Sequence, residues 1–426
     1  MSDGRAPLRT VEEHLALVLE ATAALPDVEL PLLDALDLAC AEDVRAPLRL
    51  PRFDNSAMDG YAVHAADVAG ATSPTPVSLP VVGDIGAGQS PTPVTHLERG
   101  SAAKIMTGAP MPAGADTVVP YEWTDRGVAE VRVDRAAVVG QHVRYAGEDV
   151  AEGDLLVEVG TALGPRHLGL LASVGRSVVR VRRRPRVLIV STGSELREPG
   201  TALVAGADDD AIYDGNSYLL AGAALRAGAV PLRVGLVPDR PEAFLAALDE
   251  ALDAPGGVDL VVTSGGISMG DYDVVKAALA PGGTVWFGGL AMQPGKPQGF
   301  GTVGAGDRSV PFFALPGNPV SSYLSFEMFV RPALRRMSGL TPESRPTVRA
   351  RLTHAVTSPA GRRQFLRGVV AIGSDGTTVT EVAPVGGSGS HLVGDLAASD
   401  ALIVVPEDVT AVAAGETVTV IRLDQD

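Results

Sequence analysis

The chain has 426 residues, a length that favours two to four domains over a single hydrophobic core. Aromatic residues make up only 4% of the sequence whereas Gly (49) and Pro (32) are abundant, so we expect cores of Val, Leu and Ala joined by many turns. The net charge of −16 at pH 7 disfavours binding to nucleic acid or to an anionic membrane, since both need a basic surface.

The sequence also argues against membrane and secreted classes of protein. It contains no uncharged run of about 18 apolar residues, the length that a membrane span needs. The first ten residues, MSDGRAPLRT, lack the apolar stretch of a secretory signal. Cys40 is the single cysteine, which rules out an intrachain disulfide, and no part of the sequence resembles a Cys/His zinc cluster. We therefore expect a cytoplasmic protein.

The first part of the chain changes texture twice. Residues 11–25 carry apolar residues at helical spacing and predict an amphipathic helix. From residue 51 to about 139, short β-like runs are broken by Gly and Pro, which predicts a small all-β domain. Residues 140–184 return to mixed character, with a helix expected at 165–175.

Strand and helix patterns alternate from residue 185 to about 338. The apolar run that begins at 185 is typical of a buried parallel strand, and the helix that follows has Asp214 or Asn216 as a candidate N-cap. This alternation predicts a doubly wound α/β domain over 185–338. Beyond residue 342, short apolar runs predict a small carboxy-terminal β-barrel or sandwich.

Three polar turns follow predicted strands of the α/β domain, at 191–195, 264–273 and 315–319. Ligands bind beyond the carboxyl ends of the strands in open α/β sheets, so these turns should share one crevice. The second turn is glycine-rich and lets backbone amides approach a phosphate, although it fits neither the Walker A nor the dinucleotide pattern. A tight turn without a ligand explains it equally well. The third turn places Ser321 and Ser322 at a helix start, either for an oxyanion or as an ordinary cap.

Charged residues accompany these turns. Lys296 lies in a loop stiffened by Pro and Gly, where an ammonium can be held near a phosphate, although a lone lysine is usually solvated. Glu195, Asp214 and Asp273 fall at strand ends or helix starts, where each acid alone is more often an N-cap or a solvated group. Three acids converging on one cleft would suit Mg²⁺. Together these features predict a ligand that carries a nucleotide or pyrophosphate, with a metal.

The segment at residues 51–62, PRFDNSAMDGYA, resembles the most distinctive motif of the MoeA, or molybdopterin molybdenumtransferase, family, which includes the E domains of gephyrin and of the plant cofactor protein. Further matches follow in the expected order over essentially the whole chain. They lie at residues 105–109, 147–149, 191–195, 212–216, 263–273, 294–297, 316–321, 361–368 and 387–390. Gln293 departs from the pattern, because many relatives carry a basic residue there.

The resemblance implies four domains and a homodimer whose site combines residues of both subunits. It also implies the insertion of molybdate into adenylylated molybdopterin, with Mg²⁺-dependent release of AMP. A molybdopterin adenylyltransferase and molybdoenzyme apoproteins are the partners that it suggests. The implied domains are residues 1–50 with 140–184 (mixed), the inserted β domain at 51–139, the α/β molybdopterin-binding domain at 185–338 and the β-barrel at 339–426.

Site residues follow from the same resemblance. Asp273, Asp214 and Glu195 would hold Mg²⁺ or its water. Substrate binding would fall to the amides of Gly265 and Gly266 with Ser268, and to Ser191, Thr192, Gly193, Ser264, Pro316, Gly317, Asn318 and Pro319. Molybdate would be received by Lys296 and Ser321 with Arg362 or Arg367 and Ser390. Catalytic residues from the partner subunit would be Asp59, Thr107 and Asp149, although tight turns also explain Asp59 and Asp149.

Two other functions compete with this hypothesis. A pterin adenylyltransferase, or a nucleotide hydrolase like those of the competence-damage family, could use the same α/β domain. That alternative predicts activity from 185–338 alone and gives no role to residues 55–61. A scaffolding protein is the other alternative, since gephyrin clusters receptors through its E domain. The sequence disfavours it, because we find no long linker or low-complexity tail.

Overall fold

The computed structural model describes residues 8–88, 94–267, 273–305 and 308–424. The chain divides into two compact units. One unit, which we call the larger unit, comprises Met1–Ala41, Gly160–Gly164 and Val179–Asp426; the other, which we call the β unit, comprises Glu42–Val159 and Pro165–Val178. Within the described ranges, no helix is long and apolar enough to cross a membrane.

The predicted amino-terminal helix is confirmed, but it is shorter than its apolar pattern suggested. It spans Val11–Glu20 and begins at a capping box, in which the Thr10 hydroxyl accepts from the Glu13 amide and the Thr10 amide donates to the Glu13 carboxylate. Val11, His14 and Val18 form its buried face. After Glu20 the Thr22 hydroxyl donates to the Val18 carbonyl, and the helix does not continue.

The β unit is built on a five-stranded sheet, which confirms the predicted β structure of this region. Gly60 is required there, because a β-carbon would lie 2.0 Å from the Val119 carbonyl oxygen. Two short pairs, Asn55–Ser56 with Val143–Arg144 and Val44–Arg45 with Leu155–Val157, and helix Pro165–Ser173 complete the unit. In spatial order the sheet strands are Thr117–Pro120, Gly60–Val63, Ala102–Ile105, Val77–Ile85 and Glu130–Val133.

The α/β part of the larger unit contains a six-stranded sheet that is covered on both faces. Val187 and Ile189 pack into one hydrophobic cluster with helix Gly215–Arg226 and the helical segment that starts at Pro319. Leu188 and Val190 pack into a second cluster with helices Pro241–Leu252 and Val274–Leu279. This alternation explains the unbroken apolar run in the sequence. In spatial order the strands are Val230–Val237, Arg186–Thr192, Leu260–Ser264, Arg308–Leu315, Pro297–Ala305 and Val285–Gly289.

The doubly wound prediction is confirmed for the first four strands, which are parallel. Strand Pro297–Ala305 runs antiparallel to both of its neighbours, Arg308–Leu315 and Val285–Gly289. It was not predicted as a strand. The glycines of this segment obscured the strand pattern in the sequence, since glycine is depleted in strands. They are needed for close approach, because a β-carbon on Gly301 would lie 2.0 Å from the Thr284 carbonyl oxygen.

The carboxy-terminal region is a closed β-barrel, the first of the two predicted alternatives. Strand Arg363–Ile372 pairs with both Val379–Pro384 and Ala401–Val405, and this double pairing closes the sheet. Helix Arg331–Met337 precedes the barrel, and helix Val393–Ala397 lies within it in sequence. In spatial order the strands are Met292–Gln293, Arg363–Ile372, Val379–Pro384, Thr347–Leu352, Thr417–Arg422 and Ala401–Val405.

Candidate functional site

A cavity of about 1100 Å³ lies at the carboxyl ends of the parallel strands, and we call it the strand-end cavity. Its walls include the turns after the four parallel strands and the start of helix Gly215–Arg226, as expected for an open α/β sheet. His391 and Val393 line it from the carboxy-terminal region. The predicted residues that line it are Ser191, Thr192, Gly193, Glu195, Asp214, Ser264, Gly265, Gly266, Asp273, Pro316, Gly317, Asn318 and Pro319.

Ser268 lies outside the described residues. The remaining predicted residues, all of them described, do not line this cavity. Asp59, Thr107 and Asp149 belong to the β unit. The predicted oxyanion residues, which lie elsewhere in the larger unit, are Lys296, Ser321, Arg362, Arg367 and Ser390. The single crevice expected from the sequence therefore contains the phosphate and acidic residues but not the oxyanion set.

Asp214 is almost fully buried and acts first as a helix cap. One of its carboxylate oxygens accepts from the Ser217 amide at 3.0 Å and from the Ser191 hydroxyl at 3.1 Å. Asp214 is the N-cap of helix Gly215–Arg226, one of the two candidates that the sequence offered. The same residue thus fixes the helix start to the end of strand Arg186–Thr192.

Asn216 joins two of the turns that form the cavity. Its side-chain amide donates to the Ser264 hydroxyl at 2.8 Å and to the Gly317 carbonyl at 2.6 Å. Ser264 and Gly317 stand at the ends of neighbouring parallel strands. These hydrogen bonds hold the second and third predicted turns together, so part of the cavity wall is fixed before a ligand binds.

The glycine-rich turn is only partly arranged as predicted. The Gly265 amide donates to the Leu315 carbonyl at 3.1 Å and continues the sheet, so the prediction that it cradles a phosphate is wrong. Gly265 and Gly266 both adopt the left-handed conformation, with φ of 95° and 68°. A β-carbon on Gly266 would also lie 3.0 Å from the Val275 side chain. These glycines are needed for the turn to fold against the next helix.

Two buried polar atoms of the cavity wall have no hydrogen-bond partner among the residues that the structure describes. They are the hydroxyl oxygen of Thr192, a residue that is 6% exposed, and one carboxylate oxygen of Asp273. An unpaired buried polar atom is costly and usually marks a position that a ligand, ion or water completes. Thr192 and Asp273 follow different strands and line the same cavity. We call the part of the wall that carries Thr192 and Asp273 the polar end of the cavity. The two unpaired atoms mark it as a binding site.

The cavity is acidic. Glu195, Asp214, Asp239 and Asp273 line it, and none of the lining residues that the structure describes is Lys or Arg. Gly193 permits one of these acids its position, because a β-carbon there would lie 2.7 Å from both Glu195 carboxylate oxygens. An anionic ligand would meet repulsion here unless cations accompany it.

The predicted three-carboxylate metal site is not preformed. Across the described ranges, no group of three or more His, Cys, Asp or Glu side chains is arranged to hold a metal ion. Asp214 is committed to capping its helix, which explains why it does not join the other two acids. The unpaired oxygen of Asp273 and the carboxylate of Glu195 still fit Mg²⁺, which is usually held by one or two carboxylates together with substrate phosphates.

Lys296 lies beside the strand-end cavity rather than in its wall. Its side chain is exposed and makes no hydrogen bond or ion pair with any described residue, whereas the next residue, Pro297, lines the cavity. Its loop, residues 294–297, is anchored by the buried side chain of Gln298. The side-chain amide of Gln298 donates to the Gly295 carbonyl at 2.8 Å and to the Ser325 hydroxyl at 2.6 Å. A rigid loop therefore carries the ammonium, as the Pro and Gly residues predicted.

Ser390 contacts the start of helix Pro319–Ser325, the helix that contains Ser321. The Ser390 carbonyl accepts from the Val320 amide at 3.1 Å, and the Ser322 amide donates to the Asn318 carbonyl. The Ser321 carbonyl accepts from Ser325, which also holds the lysine loop. Lys296, Ser321 and Ser390 are thus all tied to one short helix, although two of its first amides are already satisfied.

Arg367 has a structural role that the sequence did not indicate. It is 3% exposed, and its guanidinium donates to the carbonyls of Gly387 and Gly389 and lies 3.8 Å from Asp395. Arg367 therefore shapes the glycine-serine loop that ends at Ser390, and these contacts occupy both of its terminal nitrogens. Arg362 is half-buried, and no described residue forms a hydrogen bond or ion pair with it. It is the better cation of the two.

Asp59 and Thr107 lie together in the β unit. The Thr107 amide and hydroxyl both donate to one Asp59 carboxylate oxygen, at 2.7 and 2.8 Å. These hydrogen bonds, from the amide first and then the hydroxyl, lower the pKa of Asp59. Asp149 is exposed, and its amide donates to the Leu50 carbonyl.

Several cavity-lining residues were missed from the sequence: Asn216 as a lining residue, Asp239, Tyr213, Tyr218 and His391. Asp239 could have been found, because it directly follows strand Val230–Val237 and the strand-end rule applies to it. Its carboxylate accepts from the Ser194 amide at 2.8 Å. No sequence signal places His391 here, since it comes from a distant loop.

Family models match three parts of the chain. The MoeA N-terminal region (domain I and II) matches residues 9–175, a probable molybdopterin binding domain matches 188–336, and the MoeA C-terminal region (domain IV) matches 349–423. The first match includes the motif at 51–62, to which an enzyme confined to the α/β domain would give no role.

Relatives are similar over nearly their whole length. Molybdopterin molybdenumtransferase 2 of Mycobacterium tuberculosis is 45% identical over 96% of this chain and 98% of its own. The molybdopterin molybdenumtransferase of Haemophilus influenzae is 37% identical over 92% of each chain. A crystal structure of the molybdopterin biosynthesis MoeA protein from Pyrococcus horikosii covers 98% of this chain and 100% of its own, with 33% identity and a TM-score of 0.80.

Proposed function

Since this chain belongs to the MoeA family of molybdopterin molybdenumtransferases, we propose that it inserts molybdate into adenylylated molybdopterin and releases AMP with the help of Mg²⁺. One observation carries the finer part of the proposal. The strand-end cavity joins two unpaired buried oxygens, on Thr192 and Asp273, to four carboxylates and to no described Lys or Arg. Such a cavity suits a phosphoanhydride that arrives with a divalent cation.

The charges in the cavity decide what can bind. A phosphoanhydride carries negative charge of its own, and the carboxylates of Glu195, Asp214, Asp239 and Asp273 would repel it. Mg²⁺ bound between the substrate phosphates and the carboxylates of Asp273 and Glu195 would neutralise the phosphoanhydride and acidify its bound water. The acidic lining of the cavity thus supports the proposed cation requirement.

The residues of the polar end would position the substrate. The Thr192 hydroxyl would donate to a phosphate oxygen and so satisfy its unpaired atom. Asn216 would keep the turns at Ser264 and Gly317 at a fixed separation. A carboxylate of the cavity that is not bound to Mg²⁺ would accept the proton of the attacking water as the phosphoanhydride P–O bond breaks and AMP leaves.

Molybdate would bind next to the cavity, at Lys296 and Arg362. Both cations lack described partners, and together they balance the two negative charges of molybdate. The Ser321 hydroxyl and the loop that ends at Ser390 lie at the helix to which the lysine loop is tied. Molybdate would therefore be held within reach of a dithiolene bound in the cavity.

A homodimer would complete the site. We propose, from the family resemblance, that Asp59, Thr107 and Asp149 of a second subunit reach the substrate. Asp59 would stay ionised, because the Thr107 hydrogen bonds lower its pKa. Molybdopterin adenylyltransferase would supply the substrate, and molybdoenzyme apoproteins would receive the product.

The test uses purified full-length protein with adenylylated molybdopterin, Mg²⁺ and molybdate, and it measures AMP over time. We expect AMP release that requires both molybdate and Mg²⁺. Molybdate-independent release at the same rate would contradict the insertion reaction and favour a nucleotide hydrolase.

A further inference from the structure

Two tyrosines form an aromatic edge on the strand-end cavity. Tyr213 and Tyr218 line the cavity and are 46% and 47% exposed. They stand on either side of Asp214 in sequence, one at the end of strand Ile212–Tyr213 and the other in the first turn of the following helix. Large exposed aromatic side chains that line a cavity commonly contact a ligand.

The Tyr218 ring is held in one orientation. Its hydroxyl donates to Glu198 at 2.6 Å, and the Arg233 guanidinium lies 3.8 Å from the ring centroid. Arg233 in turn donates to both Glu198 carboxylate oxygens at 3.1 Å and to the Ser217 hydroxyl at 2.9 Å. Arg233 covers one face of the Tyr218 ring. The exposed surface of Tyr218 is therefore the remainder of the ring.

Neither tyrosine offers its hydroxyl to a ligand. The Tyr213 hydroxyl donates to the Thr201 carbonyl at 2.8 Å, as the Tyr218 hydroxyl does to Glu198. Hydrogen bonds from Tyr218, and then from Arg233, lower the pKa of Glu198 and keep this anchor charged. Both residues therefore present aromatic carbon to the cavity, next to the aliphatic side chains of Leu196 and Ile212.

The lining of the cavity thus combines two kinds of chemistry. It includes the carboxylates and the unpaired Thr192 hydroxyl, and it also includes two aromatic rings and aliphatic carbon. A ligand that uses both kinds of surface carries a phosphate and a planar ring. Stacking between a base and an aromatic side chain is tolerant of the identity of the base, so the geometry selects a ring and not a particular nucleobase.

We propose that Tyr213 and Tyr218 form a stacking subsite for a planar bicyclic heterocycle of the phosphate-bearing substrate. This inference rests on the proposed function, which supplies two such rings, the adenine and the pterin. Tyr218 would stack one of them on the face opposite Arg233, and Tyr213 would close the same edge. Both residues would contribute to binding, and neither would take part in bond breaking.

The test is equilibrium binding of AMP with Mg²⁺, of ribose 5-phosphate with Mg²⁺ and of a simple pterin, each by calorimetry on the full chain. Replacing Tyr218 with Leu should weaken one of the two ring ligands by about fivefold or more while ribose 5-phosphate binds as before. Loss of AMP affinity assigns the adenine to the subsite, and loss of pterin affinity assigns the pterin. Tyr218→Phe should retain the affinity, because the ring remains.

Tyr213→Leu should act in the same direction as Tyr218→Leu, whereas Leu225→Ala should bind every ligand like the wild type. Leu225 is the matched control, since it is exposed on the same helix and does not line the cavity. The inference is overturned if both leucine variants bind AMP and pterin normally, or if ribose 5-phosphate affinity falls in parallel. Turnover separates the two proposals: a wild type that binds rings but releases no AMP refutes only the proposed function.

Discussion

One Asp59 carboxylate oxygen accepts two hydrogen bonds from Thr107, from the amide at 2.7 Å and from the hydroxyl at 2.8 Å. Gly60 makes this arrangement possible, because any side chain there would collide with the Val119 carbonyl. The most distinctive motif of the sequence, at residues 51–62, thus holds one carboxylate in a fixed position, and the pKa of that carboxylate is lowered. Its partner lies 48 residues away in sequence, so the motif alone could not identify the pair.

Replacing Thr107 with Val should raise the pKa of Asp59 and reduce AMP release, because the hydroxyl hydrogen bond is lost while the amide hydrogen bond remains. Asp59→Asn should reduce AMP release further. Thr107→Ser keeps the hydroxyl and should behave like the wild type. The measurement is the rate of AMP release against pH for each variant. An unshifted acidic limb in Thr107→Val would contradict this role for the pair.

Mixed dimers would test the shared site. Coexpressed Asp59→Asn and Asp273→Asn subunits should recover part of the activity that each variant lacks alone, since one of the two sites in a mixed dimer then has both wild-type residues. Isolation with two different affinity tags gives the mixed species. Mixed dimers as inactive as their parents would argue against sites that combine residues of two subunits.

Asp273 and Asp214 should respond differently to substitution. Asp273 stands at a helix start but makes no capping hydrogen bond, and one of its oxygens is unpaired. Asp273→Asn should therefore abolish AMP release without loss of stability. Asp214→Ala should cost about 1 kcal/mol in the free energy of unfolding, because it removes an N-cap. Urea unfolding and the AMP assay on both variants separate the two roles; full turnover by Asp273→Asn would remove Asp273 from the site.

Binding of AMP should require a divalent cation. The cavity holds four carboxylates and no described Lys or Arg, so chelation of Mg²⁺ should reduce AMP affinity at least about tenfold. Calorimetry with Mg²⁺ or with a chelator measures this directly. Asp239→Asn removes one repelling charge and should weaken the dependence. Equal affinity in both conditions would disprove the proposed charge balance.

Lys296→Ala should abolish molybdate-dependent AMP release while AMP and Mg²⁺ still bind, because Lys296 lies beside the cavity and not in its wall. Its exposed side chain has no described partner, so stability should not change. Gln298→Leu should lower turnover through the loop that it anchors, with a larger effect at low molybdate concentration. Initial rates against molybdate concentration make the comparison. Lys296→Ala at wild-type rates would exclude the lysine from the reaction.

His14 should make the folded chain less stable as pH falls. Burial, and then the charge of Arg9, lower its pKa to about 3, and its ring packs against Trp286 and Phe329. The unfolded chain binds a proton near pH 6.5, so stability is lost as pH falls from about 6.5 towards about 3, at about 1.4 kcal/mol per pH unit. Unfolding of the wild type and His14→Phe at pH 7.5, 6.5 and 5.5 isolates this effect. A pH-independent difference between the two would contradict it.

The sequence by itself determined the features that depend on residues close together along the chain. The apolar run at 186–192 required a strand covered on both faces, and the strand-end rule then selected Thr192, Ser264, Asp273 and Gly317 as one group. Residues 51–62 and the later motifs indicated the family before any contact was known. The domain boundaries drawn from composition stay a prediction.

Only the tertiary structure decided how each polar group is used. The Gly265 amide donates within the sheet, and the Arg367 guanidinium donates to a glycine loop. The Asp214 carboxylate caps the start of a helix. These partners are distant in sequence or depend on exact backbone position. Side-chain alternation is a local property that a sequence displays, whereas a hydrogen bond needs both atoms in place, and the fold alone supplies the second atom.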